Sequence, residues 1–349
     1  MRSPKLRAGD LVEVRSRAEI LATLDADGCI DGMPFMAEML RYCGQRLRVS
    51  KVAHKTCDTA TKTGGRWLKD IVHLEDTRCD GAAHGGCEAA CLLFWKTHWL
   101  KKIDAAAPQR APANDASSPA VLEQFASRRE AGETIYRCQA TQLPLASRLL
   151  RWWDIRQYIA DVTSGNESFG RVARVLVLSW CRALMRLGIG YRIFRSLHDS
   201  AHRALMGQQS PLGCGRIPSG TSTPSVELNL RAGERVRVRS HEEILATLDA
   251  ANNKNRGMRF DAEMVPYCGR EYRVARRVNR LIDESNGRMV QMKNSCIVLD
   301  GVVCKSQYSQ DRLLCPRAIT PYWREIWLQR VAAQTAPAPQ AAPADAATD

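Results

Sequence analysis

The apolar and polar positions of the chain lay out the same short succession of elements twice. Leu6-Arg7-Ala8-Gly9 leads into Val12-x-Val14-Arg15-Ser16, and Leu230-Arg231-Ala232-Gly233 leads into Val236-x-Val238-Arg239-Ser240. A period of two after a glycine turn predicts a half-buried strand in each place. Ser16 three residues before Glu19, and Ser240 before Glu243, are capping-box signals, so a helix opens next. In the first copy its apolar face is Ile20, Leu21 and Leu24. Further short strands are expected at 46–52 and 71–74, with counterparts at 272–274 and 297–299.

Aligning 6–25 with 230–249 leaves 15 of 20 positions identical, and 32–49 against 257–274 leaves 11 of 18. Chance does not produce this, so the chain reads as an internal duplication. The expected organisation is a first cysteine-rich β domain (1–104), an Ala/Pro linker (105–120), a basic helical insert (121–206), a Gly/Ser/Pro linker (207–229), a second β domain (230–331) and an Ala/Pro tail (332–349) without order. The fold class expected is α+β: two homologous small β-rich domains, partly open and barrel-like, joined by a mainly helical insert.

Within the insert, 172–187 is strongly apolar. At 100° per residue Arg171, Arg174, Arg182 and Arg186 fall in one stripe about 120° wide. One reading is a core helix holding the two copies together; the other is a membrane-surface helix whose arginines and Trp180 meet an anionic interface. Arg148, Arg151 and Arg156, interleaved with Trp152 and Trp153, fit stacking on bases, a lipid interface or plain domain packing.

The 349 residues carry a formal net charge of +14, which points to an anionic partner, nucleic acid or membrane surface. No secretory-signal pattern or bilayer-length apolar run is visible, so the expected location is cytoplasmic, with peripheral membrane contact as an extension. Phosphate-binding loop, dinucleotide fingerprint and nucleophile-elbow motifs are missing, and the familiar ATPase, dehydrogenase and hydrolase classes go with them.

Thirteen cysteines are the main chemical clue. In a reducing compartment, clustered thiols are metal ligands or catalytic groups more often than disulfides. Aligned by sequence, Cys43 matches Cys268, Cys79 matches Cys304 and Cys91 matches Cys315, with Asp311 falling opposite Cys87. The candidate metal ligands are therefore Cys43, Cys79, Cys87 and Cys91 in one copy and Cys268, Cys296, Cys304 and Cys315 in the other. Zinc is the expected ion and an iron–sulfur cluster the alternative, because paired CxxC motifs are lacking. The competing reading is that these cysteines are buried packing residues.

The copies differ where chemistry is concerned. His54, His73, His84 and Cys57 face Asn279, Val298, Ser309 and Ile282. An enzymatic site would therefore sit in the first copy, with Cys87 as nucleophile and His84 as base. His198 and His202, four apart, form a weaker metal candidate.

Gly32-Met33-Pro34-Phe35-Met36-Ala37-Glu38-Met39, Tyr42-Cys43-Gly44, His54-Lys55-Thr56-Cys57-Asp58 and Arg78-Cys79-Asp80-Gly81 resemble an uncharacterised bacterial family with a duplicated cysteine-containing domain and no assigned activity. The resemblance covers both copies and Trp152-Trp153-Asp154. It implies that relatives often carry cysteine at the position of Asp311, which counts against a metal site in the second copy. The opening strand also resembles that of small KOW or Tudor-like barrels over about ten residues. The function expected is a zinc-binding interaction or scaffold protein with a basic surface for an anionic partner. A cysteine- or metal-dependent enzyme, with an unknown small-molecule substrate, and a nucleic-acid-binding protein are the alternatives.

Overall fold

The computed structural model describes residues 4–104, 120–186, 191–207 and 210–331. The expected linker 105–120 (apart from Ala120) and the tail 332–349 lie outside these residues. Helices and strands are mixed, and most sheets are small.

The first half is organised around strand Leu11–Val14, in which Val12 and Val14 are wholly buried, as the alternation requires. It pairs antiparallel with Arg46–Val52 on one side and Leu100–Lys102 on the other. Arg46–Val52 continues to Ile71–Leu74 and then Trp95–Lys96, giving an open five-stranded sheet. In the second half Arg235–Val238 lies between Glu271–Ile282 and Leu328–Arg330, and Glu271–Ile282 pairs with Met289–Leu299. A bridge from Ile297 to Trp323 takes the edge place that Trp95–Lys96 has in the first half. Neither sheet closes into a barrel among the described residues.

Local signals explain why these elements start where they do. Ser16 and Ser240 each accept the backbone N–H three residues on, and Glu19 and Glu243 reach back to complete both capping boxes. Over each sheet a phenylalanine meets two tryptophans edge to face. Phe35 lies 6.2 and 5.0 Å from Trp95 and Trp99, and Phe260 lies 6.2 and 5.3 Å from Trp323 and Trp327.

The halves part company in one hairpin. Glu271–Ile282 and Met289–Leu299 run on as a long ribbon. The corresponding stretch of the first half is broken into Arg46–Val52, Lys55–Asp58, Gly64–Trp67 and Ile71–Leu74. The break lets Lys55 Nζ reach Asp161 at 2.6 Å, and lets Gly64–Trp67 take Arg148–Leu150 as a further strand. Each hairpin then reaches the opposite half. Cys57 N–H donates to Cys315 Sγ (3.1 Å), and Ile282 N–H donates to Cys87 Sγ (3.4 Å). Arg317, buried, donates to Thr59 Oγ1 (2.6 Å) and pairs with Glu284 (2.9 Å), tying both hairpins together.

The insert is less helical than expected over 120–150. That stretch holds helix Ala120–Glu123, hairpin Ser127–Glu130/Glu133–Tyr136, helix Gln139–Gln142 and strand Arg148–Leu150. It belongs to the first half's interior: Leu122 and Leu143 join its core, and the Gln139 amide bonds both polar groups of the Phe94 backbone. The helical expectation holds further on, in Arg156–Thr163, Phe169–Arg186 and Tyr191–Met206. The supposed linker 207–229 is likewise no loose spacer where it is described. Ile217 N–H donates to Leu248 O, and Leu228 N–H donates to Glu325.

The arginine ridge does not survive as one exposed stripe. Arg182 is buried, its guanidinium donating to the Gln307 and Tyr308 carbonyls of the second half. Its long stem lets a charged group face inward once backbone acceptors are waiting there. Arg171 pairs with Glu167 (3.1 Å), Arg174 is exposed, and the Arg186 side chain lies outside the described residues. No helix among the described residues is long and apolar enough to cross a membrane.

Candidate functional site

One group of potential ligands converges in the first half: Glu38, Cys79 and His84, with ligand atoms all within 4.8 Å of one another. Glu38 comes from the short 3-10 helix Ala37–Tyr42, which turns it inward beside Met39. Cys79 and His84 flank a tight loop closed by His84 and Gly86 N–H donating to Gly81 O (both 2.9 Å). Gly81 sits at φ +72, and a Cβ there would run into the Cys87 backbone.

Glu38 Oε1 accepts the Ala83 N–H (3.1 Å), lies 2.5 Å from His84 Nδ1 and 3.9 Å from Cys79 Sγ. Its second oxygen, Oε2, is buried without a partner among the described residues. Burial pushes the Glu38 carboxyl up, but His84 beside it holds it below the ordinary value. Burial and the nearby carboxylate push the Cys79 thiol well above its ordinary range. On the far side of the imidazole, Nε2 lies 3.1 Å from the Arg137 carbonyl. A histidine whose outer nitrogen donates to a carbonyl has its inner nitrogen free to ligate, the usual bracing of a metal-bound imidazole. A cation here would give the orphaned Oε2 a partner and draw the proton from Cys79.

The second half is an internal comparison. Glu263 occupies the matching place, buried, with Oε1 accepting Tyr308 and Ser309 N–H (2.6 and 3.2 Å) and Oε2 without a partner among the described residues. Among the described residues no imidazole faces it, and burial raises its carboxyl above the ordinary value. Burial also pushes the Cys304 thiol up to about 12, and its sulfur meets Ser306 Oγ at 3.4 Å.

The other proposed ligands scatter. Cys43 and Cys268 pack against the two main cores. Cys296 lies in a separate cluster with Val278 and Val298, 3.5 Å from Arg324 Nη1. The backbone also corrects the pairing of cysteines. Cys79 N–H donates to Cys91 O, and the matching Cys304 N–H donates to Ile319 O, so Cys91 corresponds to Ile319. Cys87 and Cys315, each accepting a backbone N–H from the opposite hairpin, correspond to one another. The segment from Cys304 to Trp323 is three residues longer than that from Cys79 to Trp95, and this displaces the sequence alignment.

Cys87, Cys91 and Cys138 line a cavity of about 30 Å³ next to Cys79 and His84. Burial pushes Cys91 up to about 12 and Cys138 up to about 11. In the second half Cys304, Cys315 and Cys57 line a larger cavity, about 190 Å³. The Cys315 thiol and the Arg317 guanidinium favour the thiolate of Cys57, while burial raises Cys315. His198 and His202 are buried and stacked, with His202 Nε2 3.3 Å from the Tyr308 hydroxyl, and among the described residues neither belongs to a group with metal-ligand spacing.

Glu38, Cys138 and Arg317 were not among the residues picked from sequence. For Glu38 a signal existed: it is one of the identical positions of the two copies, a charge inside an apolar run. Against known protein families, curated proteins and solved structures, the chain matches none.

Proposed function

We propose that this is a zinc-binding protein whose ion is held by Glu38, Cys79 and His84 and serves to fix the loop between Cys79 and Cys87. The observation that carries the reading is the convergence of three chemically different ligand atoms on one buried point, with a spare carboxylate oxygen and a braced imidazole. A mixed oxygen, sulfur and nitrogen set suits zinc. The adjoining cavity of about 30 Å³ has room for a water and no more. That supports a structural ion in an interaction or scaffold protein over a catalytic one. Cys87 and His84 as nucleophile and base receive no support: both ring nitrogens face Glu38 and Arg137, and Cys87 Sγ meets the Ile282 N–H.

On this reading the halves descend from one duplicated unit. The second keeps Glu263 and Cys304 but, among the described residues, sets no imidazole beside them, and so binds no ion.

Metal analysis of the full chain after loading with zinc and desalting tests the proposal. About one zinc per chain is expected, lost in Glu38→Gln, Cys79→Ser and His84→Ala and kept in Cys304→Ser. Zinc content unchanged by all three first-half substitutions, or no zinc retained by the native protein, would overturn it. Iron with visible absorbance in its place would favour a cluster.

A further inference from the structure

We propose that the helical insert docks the protein on an anionic lipid surface. Apart from Val226 and Val290, every large apolar side chain exposed among the described residues lies between positions 145 and 197. Phe169 is 75% exposed, Ile193 67%, Trp153 61% and Trp180 59%. Such concentration on one segment marks an interaction surface, since scattered apolar exposure is the ordinary case.

The pattern is built into the helices. On Phe169–Arg186, residues Phe169, Val177 and Trp180 fall within about 80° at 100° per residue. Val175, Leu178 and Arg182 take the opposite side and are buried. The helix therefore has two apolar faces, and only one is used by the fold. Ile155 and Ile159, and Ile193 and Leu197, each repeat the exposed face one turn apart on neighbouring helical segments. Trp152 joins the loop to the helix, edge to face with Trp153 (5.9 Å) and Trp180 (6.0 Å).

Charge decides the occupant. The four carboxylates of 145–207 are all engaged: Asp154 by Arg156, Asp161 by Lys55, Glu167 by Lys51 and Arg171, Asp199 by Arg195. Arg148, Arg151, Arg174, Arg192 and Arg203 are exposed and have no carboxylate partner among the described residues. Apolar side chains including tryptophan, flanked by uncompensated arginines, match the boundary between acyl chains and anionic headgroups. A second copy meeting this face symmetrically would set the same arginines against one another, which like charge opposes.

Sedimentation of the full chain with phosphatidylcholine vesicles, with and without phosphatidylglycerol, tests this. Binding is expected only with phosphatidylglycerol, weakening as salt is raised, with a blue shift of tryptophan fluorescence. Phe169→Ser/Trp180→Ser should weaken it at least about tenfold, as for removal of large buried apolar side chains. Arg174→Glu/Arg192→Glu should abolish the preference for anionic vesicles. Should the first variant fail to fold by circular dichroism, Ile193→Ser/Leu197→Ser on the adjacent helix reads the same face. Equal binding to both vesicle types, binding that survives these substitutions, or no binding at all would overturn the proposal. A dimer in solution that Phe169→Ser/Trp180→Ser dissolves, without vesicle binding, would name a second copy as the occupant instead.

Discussion

His73 sits in strand Ile71–Leu74, wholly buried, with its ring 4.7 Å from that of Phe94. Nδ1 lies 2.8 Å from the Leu93 carbonyl, and Nε2 has no partner among the described residues. Protonating Nε2 would bury an unpaired charge. Burial, followed by the charges of Arg317 and Arg78, pushes the imidazole down to about 4, against the bond to Leu93, which favours the charged form. The unfolded chain binds its proton at about 6.5. Between these values the unfolded state takes up a proton that the folded state refuses, so stability falls as pH drops through the window. At about 1.4 kcal/mol per unit, the loss is about 2 kcal/mol by about pH 5 and about 3 kcal/mol by about pH 4. The second half provides the control: Val298 occupies the same register, opposite Arg276 where His73 is opposite Lys51. His73→Val removes the bond to Leu93, costing about 1 kcal/mol, and relieves the unpartnered nitrogen. Near neutral pH the variant should therefore differ little from the native protein, and at about pH 5 it should gain about 2 kcal/mol relative to it. Urea unfolding followed by tryptophan fluorescence at both pH values measures this. Any metal contribution is common to the two proteins and cancels in the difference. A difference that does not change with pH would refute the reasoning.

Asp161→Asn should destabilise by about 3–5 kcal/mol, because it strands the buried Lys55 ammonium. Lys55→Met/Asp161→Leu should recover most of that loss in thermal unfolding, and a failure to recover would show that the pair does more than neutralise itself. Brief alkylation of the native protein read by mass spectrometry should label exposed Cys214 first and spare buried Cys57 and Cys315 until urea is added; early labelling of Cys57 would mean the hairpin crossing opens readily. Ser16→Ala and Ser240→Ala should each cost about 1 kcal/mol, and a much larger loss at either would contradict a purely local capping role.

What could be read from the chain alone follows the range of the forces involved. Strands Leu11–Val14 and Arg235–Val238, their capped helices and the strands at 46–52 and 71–74 were all legible, because alternation, capping and turn glycines act over a few residues. Repetition of the pattern pointed to two small, partly open β-rich units, whereas the order of strands in each sheet came only from the structure. Helicity over 120–150 was overestimated, since Gln139 and Leu143 answer to the first half's interior and not to their neighbours in sequence. The arginine stripe was a correct reading of helical angle and a mistaken one of surroundings: backbone carbonyls at Gln307 and Tyr308 turned Arg182 inward. Cysteine composition pointed to candidate ligands, but not to the three side chains that converge. Cys79 and His84 meet Glu38 only because a glycine loop closes on a 3-10 helix, across 41 and 46 residues of sequence. Three extra residues after Cys304 shift Cys315 into the place of Cys87; their number can be counted in the sequence, but where they fall shows only in the backbone bonds. Sequence determined which local elements form and that they form twice. Tertiary structure decided which side chains share a point in space, because convergence depends on loop length and on contacts between distant segments.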